Sequence, residues 1–149
     1  MYNELKEAGL NCFLLVDSAM GYILEQVDYV LTGAELVTEN GGIINRIGTY
    51  SLALCACPLE KPIYVLAETY KFSRIFPLDQ NDIKKKVNEY KEFKLCNTKI
   101  EEITREKELR YLAPQCDFTP SNYLSFIISD SRIFKPQCIS DEMLQLFNF

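Results

Sequence analysis

The sequence predicts an α/β fold in which a doubly wound, mostly parallel sheet carries helices on both faces. Three short apolar runs, residues 12–16, 29–32 and 63–67, alternate with two stretches of helical spacing. This is the order expected of parallel strands joined by helical crossovers. The chain has 149 residues, of which 48% are hydrophobic and 25% charged, close to the averages for globular proteins. A chain of this length can bury one core of its own.

The first third of the chain predicts helix, strand and helix in turn. A short N-terminal helix is expected to end at Gly9, because glycine commonly terminates helices. Residues 12–16 are continuously apolar, which is typical of a parallel strand buried on both faces. Asp17 or Ser18 is then expected to cap a helix over residues 19–26.

The second strand, residues 29–32, leads through a glycine-rich loop into a helix predicted over residues 44–57. This helix is apolar nearly all round, so we expect a second layer or a dimer partner to cover it. Gly48 lies inside it, and close approach to a strand would offset the cost of a helical glycine. Gly48→Val is therefore expected to destabilise the fold by overpacking.

Further elements are predicted in the second half. Residues 63–67 and 124–128 are rich in β-branched and aromatic residues and predict two more buried strands. Residues 78–110 carry nine Lys and Arg and eight Asp and Glu, which predicts a solvated segment rather than a nucleic-acid patch. Ser140 is expected to cap a last helix.

Composition excludes several classes of function. Histidine is absent, which removes Ser-His-Asp and Cys-His nucleophile pairs and His-containing zinc sites. The net charge of −5 argues against direct binding of nucleic acid or anionic membranes. Six cysteines without a Cys-x-x-Cys pair predict free, buried thiols and a reducing cytoplasm. No motif for a metal or cofactor is present, so we expect neither.

The candidate site lies where loops follow the carboxyl ends of parallel strands. One such loop holds Asp17, and another runs from Gly33 through Glu35 to Arg46. The second loop combines glycines, a helix start and a fixed cation, which outlines an anion site. On local pattern alone, a plain turn and a solvated arginine are the alternative. The candidate ligand-binding residues are Asp17, Glu35, Asn40, Gly41, Gly42, Asn45, Arg46 and Lys71.

The stretch from Gly33 to Tyr50 reads GAELVTENGGIINRIGTY. It resembles the signature of the family that unites the regulatory subunits of translation initiation factor 2B with sugar-phosphate isomerases. Supporting stretches are residues 15–22, 67–72 and 139–143. The resemblance covers nearly the whole chain and implies that residues 1–149 form one Rossmann-like domain. It corresponds to the family's C-terminal domain without its first strand and the N-terminal helical domain.

The resemblance also implies a function. It implies a regulatory subunit of the factor that exchanges guanine nucleotide on initiation factor 2 and senses phosphorylation of that factor. Its implied partners are the other subunits of initiation factor 2B, initiation factor 2 and a second copy of itself. The resemblance further implies a pocket for a sugar phosphate or nucleotide.

Catalysis is not expected. The isomerases carry an aspartate where this chain has Glu35, and their catalytic cysteine belongs to a segment upstream of this sequence. An extra methylene displaces a carboxylate by about an ångström, and misplacement on that scale costs on the order of 100-fold in rate. The alternatives are an aldose–ketose sugar-phosphate isomerase with Glu35 as its acid–base group, and an anion-binding α/β module with neither role.

Overall fold

The structure, a computed structural model, describes residues 2–84 and 114–147. Its helices are α1 (Tyr2–Glu7), α2 (Met20–Leu24), α3 (Thr49–Ala56), α4 (Gln80–Lys84) and α5 (Ile139–Phe147). Its strands are β1 (Val30–Gly33), β2 (Leu36–Thr38), β3 (Ile43–Arg46), β4 (Ile63–Leu66), β5 (Phe72–Ser73), β6 (Cys116–Thr119), β7 (Phe126–Ile128) and β8 (Ile133–Phe134). The greater part of the predicted charged segment, from residue 85 to 110, lies outside the described residues, as does Cys96.

The described strands form two four-stranded sheets. The first has the order β1-β4-β7-β8, in which β1, β4 and β7 are parallel and β8 is antiparallel to β7. The second has the order β5-β2-β3-β6 and is mostly antiparallel. The predicted α/β class is confirmed, and the strands predicted at residues 29–32, 63–67 and 124–128 are β1, β4 and β7. The second sheet is not foreseen by the sequence analysis.

The main core joins one face of the first sheet to the inner face of the second sheet and to α2, α3 and α5. Val65 and Ile127 in the centre of the first sheet are fully buried there, together with Ile43 from the second sheet. A smaller core lies on the other face of the second sheet, where Ile44 and Phe118 meet Ile83 of α4. The second sheet is therefore buried between two apolar clusters.

The opposite face of the first sheet is uncovered by any described residue. Leu31, Phe126 and Ile133 point outward there and are substantially exposed. A row of rings runs across this face, with the centroids of Tyr29 and Tyr64 5.8 Å apart and those of Tyr64 and Phe126 6.2 Å apart. An exposed apolar sheet face of this kind is uncommon on isolated soluble domains.

Residues 12–16 do not form the predicted strand. The chain is irregular there, and Phe13 and Leu14 are each 81% exposed. A doubly buried strand needs a paired neighbour and a covering layer, and no described strand pairs with the outer edge of β1. Asp17 and Ser18 lie inside a 3₁₀ turn, and neither side chain caps α2.

The helix predicted over residues 44–57 is wrong in its first part. Residues 44–46 belong to β3, and the helix begins only at Thr49. The reason is burial on both faces, since Ile43 points into the main core and Ile44 into the smaller one. Such alternation is the property of a strand, although two adjacent isoleucines fit a helical pattern equally well. Leu54 on α3 is left exposed among the described residues.

Gly48 does not make the predicted close contact. It lies just before α3 with a φ of +108°, and a Cβ built on it meets nothing within 4 Å. The position requires glycine because of its backbone conformation, which side chains rarely adopt. The overpacking explanation for Gly48→Val is therefore wrong, whereas the expectation of a destabilised fold stays a prediction.

Two smaller expectations concern the ends of helices. Gly9 follows α1 with a φ of +81°, as predicted for a helix terminator. Ser140 does not cap the last helix, because α5 already begins at Ile139. A 3₁₀ turn precedes the helix, and in it the N–H of Ile139 donates to the carbonyl of Pro136. The described cysteines, Cys12, Cys55, Cys57, Cys116 and Cys138, take part in no disulfide bond, as predicted. Only Cys116 is buried, so the expectation of burial is wrong for the others.

Gly48→Ala is expected to lower the free energy of unfolding by about 1–2 kcal/mol, the cost of a left-handed conformation for an L-residue. Thermal or urea unfolding measures it. The control is Gly21→Ala in α2, where a Cβ also meets nothing within 4 Å and φ is not positive. That variant should gain roughly 0.5–1 kcal/mol from helix propensity. Equal effects at the two positions would contradict this explanation.

Candidate functional site

Three carboxylates lie at the carboxyl edge of the first sheet. Glu35 and Glu68 each follow two residues after a strand, β1 and β4, whose last residues Gly33 and Leu66 are aligned in register. Asp130 follows two residues after β7, the next parallel strand. Since the ends of parallel strands meet at one edge, these side chains share the position where α/β folds bind ligands.

Two cations accompany these carboxylates. The Nε of Arg46 lies 3.4 Å from Oε1 of Glu35, and the Nζ of Lys71 lies 3.1 Å from Oε2 of Glu68. The Arg46 and Glu35 side chains are 74% and 53% exposed. Exposed pairs of this kind contribute little to stability, so Arg46 can exchange Glu35 for a ligand anion. The structure therefore brings Glu35, Arg46 and Lys71 together as predicted for the site.

Hydrogen bonding adjusts the charges of the second pair. The bond to Glu68 raises the pKa of Lys71, and the nearby carboxylate of Glu35 adds to this effect. The pKa of Glu68 is lowered, first by its own backbone N–H and then by Lys71. Both groups are thus held in their charged forms at neutral pH.

Asn45 is the polar, uncharged member of the site. Its Nδ2 donates to Oγ1 of Thr32 at 3.2 Å and to Oγ1 of Thr49 at 3.1 Å. The hydroxyl of Thr49 in turn donates to the backbone carbonyl of Arg46 at 2.8 Å. Asn45 therefore ties β1, β3 and the start of α3 together beside the charged pairs.

The start of α3 is already occupied by a carboxylate of the protein. Oδ2 of Asp117 accepts hydrogen bonds from the N–H groups of Gly48, at 2.7 Å, and Tyr50, at 3.1 Å. A ligand anion therefore cannot use these two amides while Asp117 holds them. Burial raises the pKa of Asp117, while the bonds from Tyr50 and Gly48 oppose the shift.

Sequence reasoning missed Asp117, because the strand that holds it is not among the predicted strands. It lies in a four-residue strand, Cys116–Thr119, in which every residue is buried. A carboxylate in such a run needs internal hydrogen-bond donors. The pattern therefore indicates a structural partner for Asp117, although not which amides supply it.

The Asn40-Gly41-Gly42 turn lies at the other end of the β2–β3 hairpin from Arg46. A Cβ on Gly41 would overlap the carbonyl of Pro136, and one on Gly42 would overlap the ring of Phe118. These glycines are therefore required for packing. They are not brought to the charged pairs, in contrast to the predicted loop.

Asn40 and Asp17 are likewise not brought to the charged pairs. The Nδ2 of Asn40 donates to the carbonyl of Pro77 at 2.6 Å, and its Oδ1 accepts a bond from Thr38, so its side chain is engaged in holding the turn. Asp17 is exposed in the 3₁₀ turn before α2. Its carboxylate makes no hydrogen bond or ion pair with the described residues.

None of the helices in the described ranges has the length and apolarity needed to span a bilayer. Within the same ranges, no group of three or more Cys, Asp or Glu side chains is arranged to hold a metal ion.

A parallel sheet with polar and charged side chains gathered at its carboxyl edge is typical of α/β domains, which place their ligand sites at that edge. The chain belongs to the initiation factor 2 subunit family, whose family model matches residues 1–136. The run from Glu39 to Asn45, with the basic Arg46 and Ile47-Gly48-Thr49 after it, points to the alpha type among the regulatory subunits, and the curated relatives confirm this resemblance.

Two of these relatives are translation initiation factor eIF2B alpha subunits. The protein of Caenorhabditis elegans is 40% identical over 99% of this chain and 45% of its own length. That of Dictyostelium discoideum is 37% identical over 97% of this chain and 45% of its own length. A ribose 1,5-bisphosphate isomerase of Archaeoglobus fulgidus is 34% identical over 90% of this chain and 41% of its own length. The chain thus spans less than half the length of these relatives.

A solved structure supports the fold. The Pyrococcus horikoshii OT3 translation initiation factor eIF-2B superimposes with a TM-score of 0.69 at 28% identity, covering 90% of this chain and 43% of that one.

Asp130→Asn is expected to lower stability at neutral pH and to have no effect in acid. The Thr69 N–H donates to Oδ1 of Asp130 at 2.8 Å and is the main cause of the lowered pKa of that carboxyl group. A lowered pKa stabilises the fold above the unfolded value and loses this contribution as pH falls through the folded value. Urea unfolding of both proteins between pH 7 and pH 3 measures the difference. A difference that stays constant over this range would contradict the linkage.

Proposed function

We propose that the chain is part of a regulatory subunit, of the alpha type, in the guanine-nucleotide exchange factor for translation initiation factor 2. In this role the subunit senses phosphorylation of initiation factor 2 and keeps a pocket of the sugar-phosphate type. The two alpha subunits similar to it along nearly its whole length support this proposal. Its partners are then the other subunits of initiation factor 2B, initiation factor 2 and a second copy of itself.

The pairing of Glu35 with Arg46 is the observation that carries the proposal. An acid–base carboxylate gains from an enclosed pocket, whereas Glu35 is exposed and lies against a guanidinium group. The sugar-phosphate isomerases that this sequence resembles carry an aspartate at the position of Glu35. The geometry supports a residue that sets the charge of a binding site rather than one that transfers protons.

The carboxyl edge suits a phosphate ester. Arg46 and Lys71 supply two positive charges, and the amide of Asn45 supplies a neutral polar contact beside them. Guanidinium and ammonium groups are the usual partners of phosphate. Because the Arg46–Glu35 pair is exposed, a phosphate can displace the carboxylate of Glu35 without opening the core.

Copurification tests the function directly. The full-length protein that contains this chain is expected to copurify with the other subunits of the exchange factor, and Arg46→Ala is expected to copurify equally well because Arg46 is assigned to the ligand pocket. Recovery of the full-length protein without these subunits would overturn the proposal.

A sugar-phosphate isomerase is the second candidate, because a ribose 1,5-bisphosphate isomerase is 34% identical over most of the chain. In that case Glu35 acts as the acid–base group. Turnover of ribose 1,5-bisphosphate by the full-length protein, abolished in Glu35→Gln, would favour the isomerase over the regulatory subunit.

Arg46→Ala is expected to weaken binding of ribose 5-phosphate by about 1.5–3 kcal/mol, the scale of a charge-assisted hydrogen bond. Isothermal titration calorimetry with wild type and variant measures this. The matched control is Lys61→Ala, which removes a cation from the opposite, amino-terminal end of β4. That variant should bind as wild type does. Equal isotherms for wild type and Arg46→Ala would dismiss the phosphate pocket.

A further inference from the structure

A buried carboxylate lies directly behind the candidate site. Asp117 is 5% exposed and stands opposite Asn45 in the antiparallel pairing of β3 and β6. One of its oxygens, Oδ2, accepts bonds from the N–H groups of Gly48 and Tyr50. The other oxygen, Oδ1, is buried without a hydrogen-bond partner among the described residues.

This arrangement is not the one that stability alone favours. A buried charge is costly unless its oxygens are hydrogen-bonded, and half of this carboxylate is not. Burial raises the pKa of Asp117 despite the two amide bonds. A raised carboxyl pKa means that the ionised group costs folding free energy at neutral pH, a cost relieved as the pH falls. An unsatisfied buried group in a native fold calls for an explanation outside packing.

The two amides held by Asp117 flank the residue that holds the site together. Thr49 lies between Gly48 and Tyr50, and its hydroxyl contacts both the side-chain amide of Asn45 and the carbonyl of Arg46. A shift of the Thr49 backbone would therefore disturb the hydrogen bonds of its hydroxyl to both Asn45 and Arg46. Gly48 has a positive φ. Because glycine has no strong conformational preference of its own, the turn depends on hydrogen bonds such as those to Asp117 to keep its shape.

We propose that Asp117 is a positioning residue, which fixes the turn between β3 and α3 so that Asn45 and Arg46 are presented at the carboxyl edge. The proposal rests on the proposed phosphate pocket and assigns to it a residue that does not touch the ligand. The negative charge of Asp117 strengthens its hydrogen bonds from the N–H groups of Gly48 and Tyr50, and its burial lowers the stability of the fold. Charge-assisted bonds of this kind are about twice as strong as neutral ones.

Asp117→Asn in the full chain separates positioning from a purely structural role. The variant keeps the shape of the side chain and removes its charge. We expect a melting temperature equal to or above that of wild type, together with ribose 5-phosphate binding weakened by about tenfold, the scale of a charged hydrogen bond. A structural role predicts that both quantities fall together, and that outcome would overturn the proposal. Unchanged affinity, in a protein in which Arg46→Ala does weaken binding, would overturn it as well.

Thr119→Val is the matched control. Thr119 lies on the same strand, is fully buried and also has an oxygen without a partner, but it makes no hydrogen bond to α3. This variant should keep wild-type affinity. Thr49→Val removes the hydroxyl that links α3 to Asn45 and should weaken binding as Asp117→Asn does, which keeps the proposal testable if Asp117→Asn does not fold.

A readout without ligand distinguishes failure of this proposal from failure of the phosphate pocket. Asp117→Asn should shift the NMR resonances of the Asn45 side-chain amide, whereas Thr119→Val should not. If Arg46→Ala binds as wild type does but the Asn45 resonances shift, the pocket is wrong and the positioning of Asn45 stands. If Arg46→Ala weakens binding and Asp117→Asn changes neither affinity nor the resonances, the positioning role is wrong and the pocket stands.

Discussion

The parallel alignment of β1, β4 and β7 is the constraint on which the candidate site depends. Register places the last residues of β1 and β4 side by side, so the loops that follow them must emerge at the same edge. The loops that carry Glu35, Glu68 and Asp130 therefore lie at one edge of the sheet. A single antiparallel strand in the place of β4 would send its following loop to the opposite edge and leave Glu68 and Lys71 remote from Glu35.

The second sheet brings Arg46 to this edge. Its strand β3 runs between two apolar clusters, with Ile43 in one and Ile44 in the other, so its direction is set by burial on both faces. The hairpin turn is held far from the site by the close approach of Gly41 and Gly42 to their neighbours. The chain therefore uses its glycine-rich loop for packing, and the proposed ligand contacts lie at the end of the strand that follows it.

The sequence predicted the parts of the fold in which local pattern and tertiary environment agree. Short β-branched runs predict β1, β4 and β7, and the rule for carboxyl edges points to Glu35, Arg46 and Lys71. The pattern could not distinguish strand from helix at residues 43–46, since two adjacent isoleucines suit both periods. Asp117 is not predicted because its role depends on the pairing of β6 with β3, which brings it to the N–H of Gly48, 69 residues earlier in the chain. No local signal encodes which strands will pair.

The net charge at the carboxyl edge also affects how strongly the proposed pocket would bind an anion. Three carboxylates face two cations there, which leaves one negative charge in excess among Glu35, Glu68, Asp130, Arg46 and Lys71. A phosphate must therefore compete with carboxylates of the protein rather than enter a positive field. Such competition lowers the affinity for any anion. The loss is largest for an anion, such as bare phosphate, that binds through its charge alone. In the proposed pocket, a phosphate ester whose sugar hydroxyls also reach the amide of Asn45 would gain contacts that a bare phosphate lacks. The proposed pocket would therefore discriminate between anions by neutral hydrogen bonds more than by charge.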